Sequence, residues 1–89
     1  MKKKNRFYIE EVVHKYKIDL TNISLCLDNE WIQPITLNPV MLDQEDISRI
    51  LLIIDLKESM GVNNEAVPVI LHLVDQLYYL KNQFQKPPR

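Results

Sequence analysis

The last third of the chain, residues 60–84, most constrains the fold. Gly61 is the only glycine, and it follows an apolar periodic segment, where a left-handed residue commonly ends one helix and Asn63 or Asn64 can cap the next. Beyond this turn, apolar residues recur every three or four positions and predict a helix of about 20 residues, about 30 Å long. These residues are Val67, Ile70, Leu71, Val74, Leu77, Tyr78 and Phe84.

A helix of this length is too long for an 89-residue chain to cover completely. Its first half can pack on the rest of the domain, whereas Leu77, Tyr78 and Phe84 continue a heptad-like seam. We therefore predict a symmetric homodimer in which these three residues form the interface. The alternative is that this end of the helix folds back or frays.

Length and composition indicate one domain, near the size at which oligomerisation often supplements stability. The apolar fraction of 46% argues against disorder. The longest uninterrupted apolar run, residues 50–54, is far too short to span a bilayer, and no apolar signal-peptide region follows the lysine-rich start. These features predict a cytoplasmic protein that does not contact a membrane.

The charge distribution is more informative than the net charge of −1. Residues 7–80 hold all twelve acidic residues but only four of the eleven basic ones, a net charge of −8, and residues 18–48 contain no Lys or Arg. We expect residues 1–6 to be a basic, solvated leader. An acidic body with basic ends is repelled by a phosphate backbone and attracted to a basic protein surface.

The first half of the chain is typical of a helix-turn-helix unit followed by a β wing. Apolar spacing predicts a helix over residues 7–17 and, after a cap at Asp19, a second helix ending at Asn29. Alternating apolar residues between Pro34 and Pro39 then favour a short ribbon, within a wing of about residues 32–42.

The second half begins with a central core helix. Asp43 is the predicted cap of a helix from Gln44 to about Met60, which is apolar around much of its circumference. The C-terminal helix spans about residues 64–84, and its regular part should start close to Pro68. Residues 7–84 thus form a single domain, followed by a frayed tail at 85–89.

The cysteine and histidine side chains are better explained by packing or solvent exposure than by a catalytic or metal-binding role. Cys26 suits a small core residue, His14 a surface or core-edge histidine, and His72 with Asp75 a solvated pair. The sequence contains no paired-carboxylate cleft, glycine-rich phosphate loop or metal-spaced His/Cys cluster. It therefore predicts neither an enzyme nor a bound cofactor or metal.

The order of these elements resembles the MerR-type winged helix-turn-helix domain over nearly the whole chain. Tyr8-Ile9-Glu10-Glu11-Val12 is similar to that superfamily's opening segment, and Trp31-Ile32-Gln33-Pro34 stands where MerR proteins have a Leu-Leu-x-Pro step. Leu42-Asp43-Gln44-Glu45-Asp46-Ile47 matches their Tyr-Ser-x-x-Asp-Leu entry to the third helix. The resemblance implies a mainly α fold with a short β wing and a long C-terminal helix.

The ending resembles a narrower group, the CbpM-type chaperone modulators, which are MerR-like proteins without an effector domain. Gly61-Val62-Asn63, Val67, Val69-Ile70-Leu71, Leu73 and Asp75, leading to Leu77 and Leu80, carry this similarity. Members of that family bind the J-domain of a DnaJ-like co-chaperone, the curved-DNA-binding protein, and restrain its stimulation of the DnaK-type chaperone. The resemblance therefore implies a co-chaperone inhibitor.

The alternative is a MerR-family DNA-binding transcriptional regulator. Such proteins carry a basic, aromatic element on their second helix and a basic wing, whereas the matching stretch here is Asn22-Ile23-Ser24-Leu25-Cys26 and residues 35–42 are uncharged. Phosphate contacts and groove reading need donors, preferably cationic ones. DNA binding is therefore not expected, and the acidic body instead suits the basic helix of a J-domain.

The predicted partner-binding residues lie at two helix ends. The first group is at the end of the second helix, where the carboxylates are solvated charges or contacts and Trp31 is either a core residue or an anchor. The second group opens the third helix, where capping is the alternative role. The residues are Asp28, Glu30 and Trp31 in the first group and Asp43, Glu45 and Asp46 in the second.

Overall fold

The computed structural model describes residues 6–85, which form four helices and a three-stranded antiparallel sheet. The predictions made for residues 1–5 and 86–89 lie outside the described residues. Within residues 6–85, no helix is both long and apolar enough to cross a membrane. The elements in chain order are β1 (Arg6–Tyr8), α1 (Ile9–Tyr16), α2 (Leu20–Asp28), β2 (Thr36–Leu37), β3 (Val40–Asp43), α3 (Gln44–Glu58) and α4 (Val67–Gln85).

The sheet has the order β1-β3-β2, so β3 is its central strand. Thr36 lies opposite Met41 and Leu37 opposite Val40 in the β2–β3 hairpin. The predicted ribbon is therefore present, although its second strand continues to Asp43. Because β3 leads directly into α3, the sheet fixes the starting point of the core helix.

The first predicted helix is wrong at its start. Arg6, assigned to the leader, and Phe7, assigned to the helix, belong to β1, where Phe7 lies opposite the buried Leu42. The helix begins only at Ile9, and the Glu11 carboxylate accepts a hydrogen bond of 2.8 Å from the Tyr8 backbone N–H. Pairing with β3 thus replaces the first two residues of the predicted helix, since a strand partner is available and the helix is capped two residues later.

The predicted core helix is confirmed. Ile47, Ile50 and Ile53 of α3 are almost completely buried, and elements on both sides cover them. Burying an aliphatic side chain of this size contributes roughly 1.5–3 kcal/mol. The residues that complete the core are Val12, Ile18, Ile23, Cys26, Trp31, Ile32, Leu42, Val67 and Leu71.

The connection from α3 to α4 follows the predicted turn. Gly61 has a φ of +68°, in the left-handed region that favours glycine, and the next residue, Val62, donates its backbone N–H to the Leu56 carbonyl. The Asn63 side chain accepts a hydrogen bond of 2.9 Å from the Ala66 N–H. The regular helix then begins at Val67 and places Pro68 in its first turn, as predicted.

The two predicted caps differ in how they work, which gives a matched test. The Asp43 carboxylate accepts from the Asp46 N–H at 2.9 Å, whereas Asp19 occupies the N-cap of α2 without a side-chain hydrogen bond. Asp43→Ala should therefore lower the free energy of unfolding by about 1 kcal/mol. Asp19→Ala should cost clearly less. Urea unfolding of both variants checks this, and equal losses would contradict the role assigned to Asp43.

Candidate protein-binding face

Arg49 joins three parts of the molecule. Its Nε donates to the Trp31 carbonyl at 2.7 Å, which ties the segment after α2 to α3. Its Nη1 and Nη2 donate to the two carboxylate oxygens of Asp75 on α4, at 2.8 and 3.1 Å. This bidentate geometry suits the planar guanidinium, and it joins α4 to α3 at this point.

The Arg49 guanidinium lowers the pKa of the Asp75 carboxyl below its ordinary value, chiefly through these hydrogen bonds. His72, one turn earlier, adds a smaller effect of the same sign. The predicted His72–Asp75 pair is therefore corrected, because the hydrogen-bond partner of Asp75 is Arg49. Among the described residues this is the one salt bridge, and both side chains are partly exposed to solvent.

The start of α3 concentrates three of the predicted carboxylates. Asp43 and Asp46 form a reciprocal capping box, in which the Asp46 carboxylate accepts from the Asp43 N–H at 3.1 Å. Burial raises the pKa of the Asp46 carboxyl, the Asp43 backbone hydrogen bond opposes that rise, and the Asp43 charge adds to it. Asp43 is thus committed to capping, whereas Glu45 is exposed.

A groove of about 690 Å³ runs between α3 and α4 beside this acidic end. Carboxylates line both walls, Arg49 lies between them, and apolar side chains extend along the groove. The structure thereby brings together Glu45 and Asp46, predicted to bind a partner, and Tyr78, predicted to bind a second copy. The lining residues that matter here are Glu45, Asp46, Leu52, Val74, Asp75 and Tyr78.

The end of α2 explains the position of Trp31. The Trp31 N–H donates to the Cys26 carbonyl and the Glu30 N–H to the Leu27 carbonyl, which is the pattern of a Schellman motif. Glu30 occupies the left-handed position of that motif, with a φ of +58°. The turn directs Trp31 inward, where it is 6% exposed. Of the two roles that the sequence left open for Trp31, its burial supports the core role and argues against the anchor role, so Trp31 does not belong with the partner-binding residues.

Asp28 and Glu30 remain exposed at this turn. The Trp31 carbonyl, next to Glu30, is tied to Arg49, one turn along α3 from Glu45. No hydrogen bond or salt bridge within the described part of the chain joins Asp28 or Glu30 to the carboxylates of α3. Arg49 ties the Trp31 carbonyl to α3, but the two predicted groups of carboxylates remain separate.

The second half of α4 is exposed, as the length argument predicted. Leu77, Tyr78 and Phe84 are all solvent-accessible, and Phe84 is 85% exposed. Leu73 and Leu80 are exposed as well, and with Ile70 they complete an alternating spacing of three and four residues from 70 to 84. We call Ile70, Leu73, Leu77, Leu80 and Phe84 the α4 seam.

Two further observations concern reactive groups. Burial raises the pKa of the Cys26 thiol to about 11, so the thiol stays protonated at neutral pH. Within residues 6–85, no group of three or more His, Cys, Asp or Glu side chains is arranged to hold a metal ion.

Sequence reasoning did not identify Arg49 and Asp75 as partners. They lie 26 residues apart, on different helices, and helical spacing rules connect only residues three or four apart. One signal was available, because Arg49 is the only Lys or Arg between residues 18 and 56. A cation that lies among the buried isoleucines of a core helix favours a hydrogen-bonding partner elsewhere in the fold.

Comparison of the chain with protein-family models, with curated proteins and with solved structures finds no match.

The Arg49–Asp75 pair should make stability depend on pH. The pKa of Asp75 is lower in the folded than in the unfolded state, so the stabilisation is complete above about pH 5 and is lost as pH falls through the folded value. Asp75→Asn should cost a few tenths to about 1 kcal/mol at pH 7, because water screens this exposed pair. Urea unfolding should show this difference shrinking towards about pH 3.

Asp55→Asn is the matched control, since Asp55 is an exposed carboxylate on α3. It should change the free energy of unfolding by no more than about 0.5 kcal/mol at either pH. An Asp75→Asn difference that stays constant from pH 7 to about pH 3 would contradict the pairing.

Proposed function

We propose that the protein is a chaperone modulator, which binds the J-domain of a DnaJ-like co-chaperone and inhibits its stimulation of the DnaK-type chaperone. The observation that carries the proposal is the exposed acidic charge at two helix ends, the end of α2 and the start of α3. Asp28, Glu30 and Glu45 are exposed there, in a stretch from residue 18 to residue 48 that contains no Lys or Arg. The sequence resemblance to CbpM-type proteins supports the same function.

The mechanism we propose is competitive sequestration. J-domains carry a strongly basic helix beside the loop that engages their chaperone, and an acidic surface complements such a helix. A protein docked on the basic helix denies that surface to the chaperone. The inhibitor needs no catalytic group and no bound cofactor for this role.

We also propose that the fold is a MerR-like winged helix-turn-helix domain. α1 and α2 are separated by the three residues Lys17, Ile18 and Asp19, and the β2–β3 hairpin follows them in the position of a wing. These features support the finer assignment.

Charge argues against the alternative, a DNA-binding regulator with the same fold. α2 carries no cationic side chain, and the exposed residues of the hairpin include the aliphatic Ile35 and Leu37. Neither element offers the cationic donors that phosphate contacts favour. Specific retention of DNA in a gel shift at moderate salt would revive this alternative.

The primary test is titration of the protein into the J-domain of the DnaJ-like co-chaperone from the same source. We expect saturable binding that weakens as salt is raised, because the complementary surfaces are charged.

Glu30→Gly separates the effect of the carboxylate on binding from any loss of stability. It removes the carboxylate and relieves a left-handed glutamate, so it should weaken binding while raising stability by up to about 1 kcal/mol.

Asp28→Lys should weaken J-domain binding further, since it reverses a charge on the same exposed turn. Glu65→Lys, an exposed acidic position in the turn before α4, is the control and should leave affinity unchanged within about twofold. If neither Glu30→Gly nor Asp28→Lys costs more than a few tenths of a kcal/mol, the end of α2 is not part of the interface.

We further propose that the protein forms a homodimer through the α4 seam. The seam is uncharged and extends about 21 Å along the helix, and its residues from Leu73 onward are exposed. Exposed apolar stripes with heptad spacing are typical of helix pairing. Of the three dimer residues predicted from the sequence, Leu77 and Phe84 belong to the seam and Tyr78 lines the groove instead.

A paired substitution tests the dimer. Leu77→Glu with Leu80→Glu should raise the dissociation constant of the dimer by at least about 100-fold, since each buried leucine contributes roughly 1.5–3 kcal/mol and both chains lose two of them. His72→Glu with Tyr79→Glu adds the same charge on another side of α4 and should leave the dimer intact. Light scattering over a range of concentrations checks this, and a monomeric wild-type protein at high micromolar concentration would refute the dimer.

A further inference from the structure

Helix α4 carries two different faces. Val67 and Leu71 are buried against the body of the protein, and Asp75 and Tyr78 continue the same line towards α3. Since each residue advances about 100° around a helix, Tyr78 lies about 20° from Leu71, whereas the α4 seam is centred about 140° away. One side of α4 therefore lines the groove and the other side carries the seam.

The groove combines an apolar strip with an acidic rim. Leu52 of α3 and Val74 of α4 are half-buried within it, and Tyr78 presents its ring at the open end, where it is 60% exposed. Arg49 neutralises Asp75, but Glu45 and Asp46 have no ion pair within residues 6–85. The groove therefore retains uncompensated negative charge beside apolar surface.

We propose that the α3–α4 groove is the docking site for the basic helix of the partner, and that it can be occupied while the seam pairs two copies of the chain. This inference rests on the proposed J-domain binding and deepens it, because it names the site and the kind of element that enters. The expected assembly contains two protomers and two partner molecules.

The chemistry of the groove specifies this occupant. A Lys or Arg at one position of the incoming helix would meet Glu45 and Asp46 at the rim. An aliphatic residue one turn away would pack on Leu52 and Val74, in the way that amphipathic helices enter apolar grooves. The Tyr78 ring suits both, since an aromatic face accepts aliphatic contacts and cations alike.

Charge also disfavours a symmetric contact between the grooves of two copies. The body of the protein is acidic, so two copies that bring Glu45 and Asp46 together repel each other. Pairing through the uncharged α4 seam brings no seam carboxylates together, so it does not incur this repulsion. The groove therefore suits a partner of opposite charge.

Two neighbouring tyrosines give a matched test. Tyr78 lines the groove, whereas Tyr79 is 64% exposed and points about 100° away. With the J-domain as the titrant, Tyr78→Ala should weaken binding by at least about tenfold. Tyr79→Ala should leave it within about twofold. Because both tyrosines are exposed, neither change should unfold the protein.

A second pair tests the charge. Glu45→Lys reverses the rim at the start of α3, and Glu58→Lys makes the same change at the far end of that helix. Glu45→Lys should weaken J-domain binding at least about tenfold and flatten its salt dependence. Glu58→Lys should do neither. Light scattering should show that Tyr78→Ala and Glu45→Lys remain dimeric.

The outcomes separate this inference from the proposed function. If the J-domain binds but Tyr78→Ala and Tyr79→Ala behave alike, the groove is refuted and the proposed function stands. A loss of self-association in Tyr78→Ala would show that a second copy occupies the groove, which also refutes the inference.

If the wild-type protein does not bind the J-domain, the proposed function fails and the groove is tested separately. The probe is then a synthetic amphipathic helical peptide with lysines on one face and leucines on the other. Amide chemical shifts that change at Glu45, Arg49 and Tyr78, and not in the Tyr78→Ala variant, would support the groove as a site for basic helices. No such change would refute it.

Discussion

The structure depends on covering α3 from several sides at once. Ile47, Ile50 and Ile53 are almost completely buried, and α1, α2, β3 and α4 supply core residues around them. A charged side chain close to this buried row is favoured where hydrogen-bond partners satisfy it. Arg49 has such partners, and it lies where the segment after α2 and the helix α4 both meet α3. Arg49 therefore contributes both to the packing around α3 and to the lining of the groove.

Local signals in the sequence predicted most of the helices. An aspartate cap placed the start of α3, a lone glycine ended the helical segment before α4, and Pro68 located the first turn of the last helix. Each of these signals acts within a few residues, so it can be interpreted without the fold. The strand β1 could not be predicted in this way. Its three residues become a strand because they pair with residues 41–43, more than thirty positions away.

The same distinction applies to the candidate site. Composition predicted the acidic, cation-free stretch, because charge counts need no geometry. It could not separate the roles of neighbouring residues. A Schellman turn buries Trp31 while it leaves Glu30 exposed, and a capping box occupies Asp43 while Glu45 stays free in solvent. Asp75 joins the site only through Arg49, a contact between helices that no local spacing rule describes.

Charged and apolar side chains are segregated between the two faces of α4, and this segregation supports the two contacts that we propose. The α4 seam offers aliphatic and aromatic side chains without charge, which allows two identical chains to approach. The α3–α4 groove offers similar apolar surface but adds carboxylates, which penalise an identical chain and favour a basic one. Tyr78 and Leu77 are adjacent in sequence, yet helical geometry places them on these two different surfaces. In the assembly that we propose, a single helix therefore serves self-association and partner recognition without competition between them.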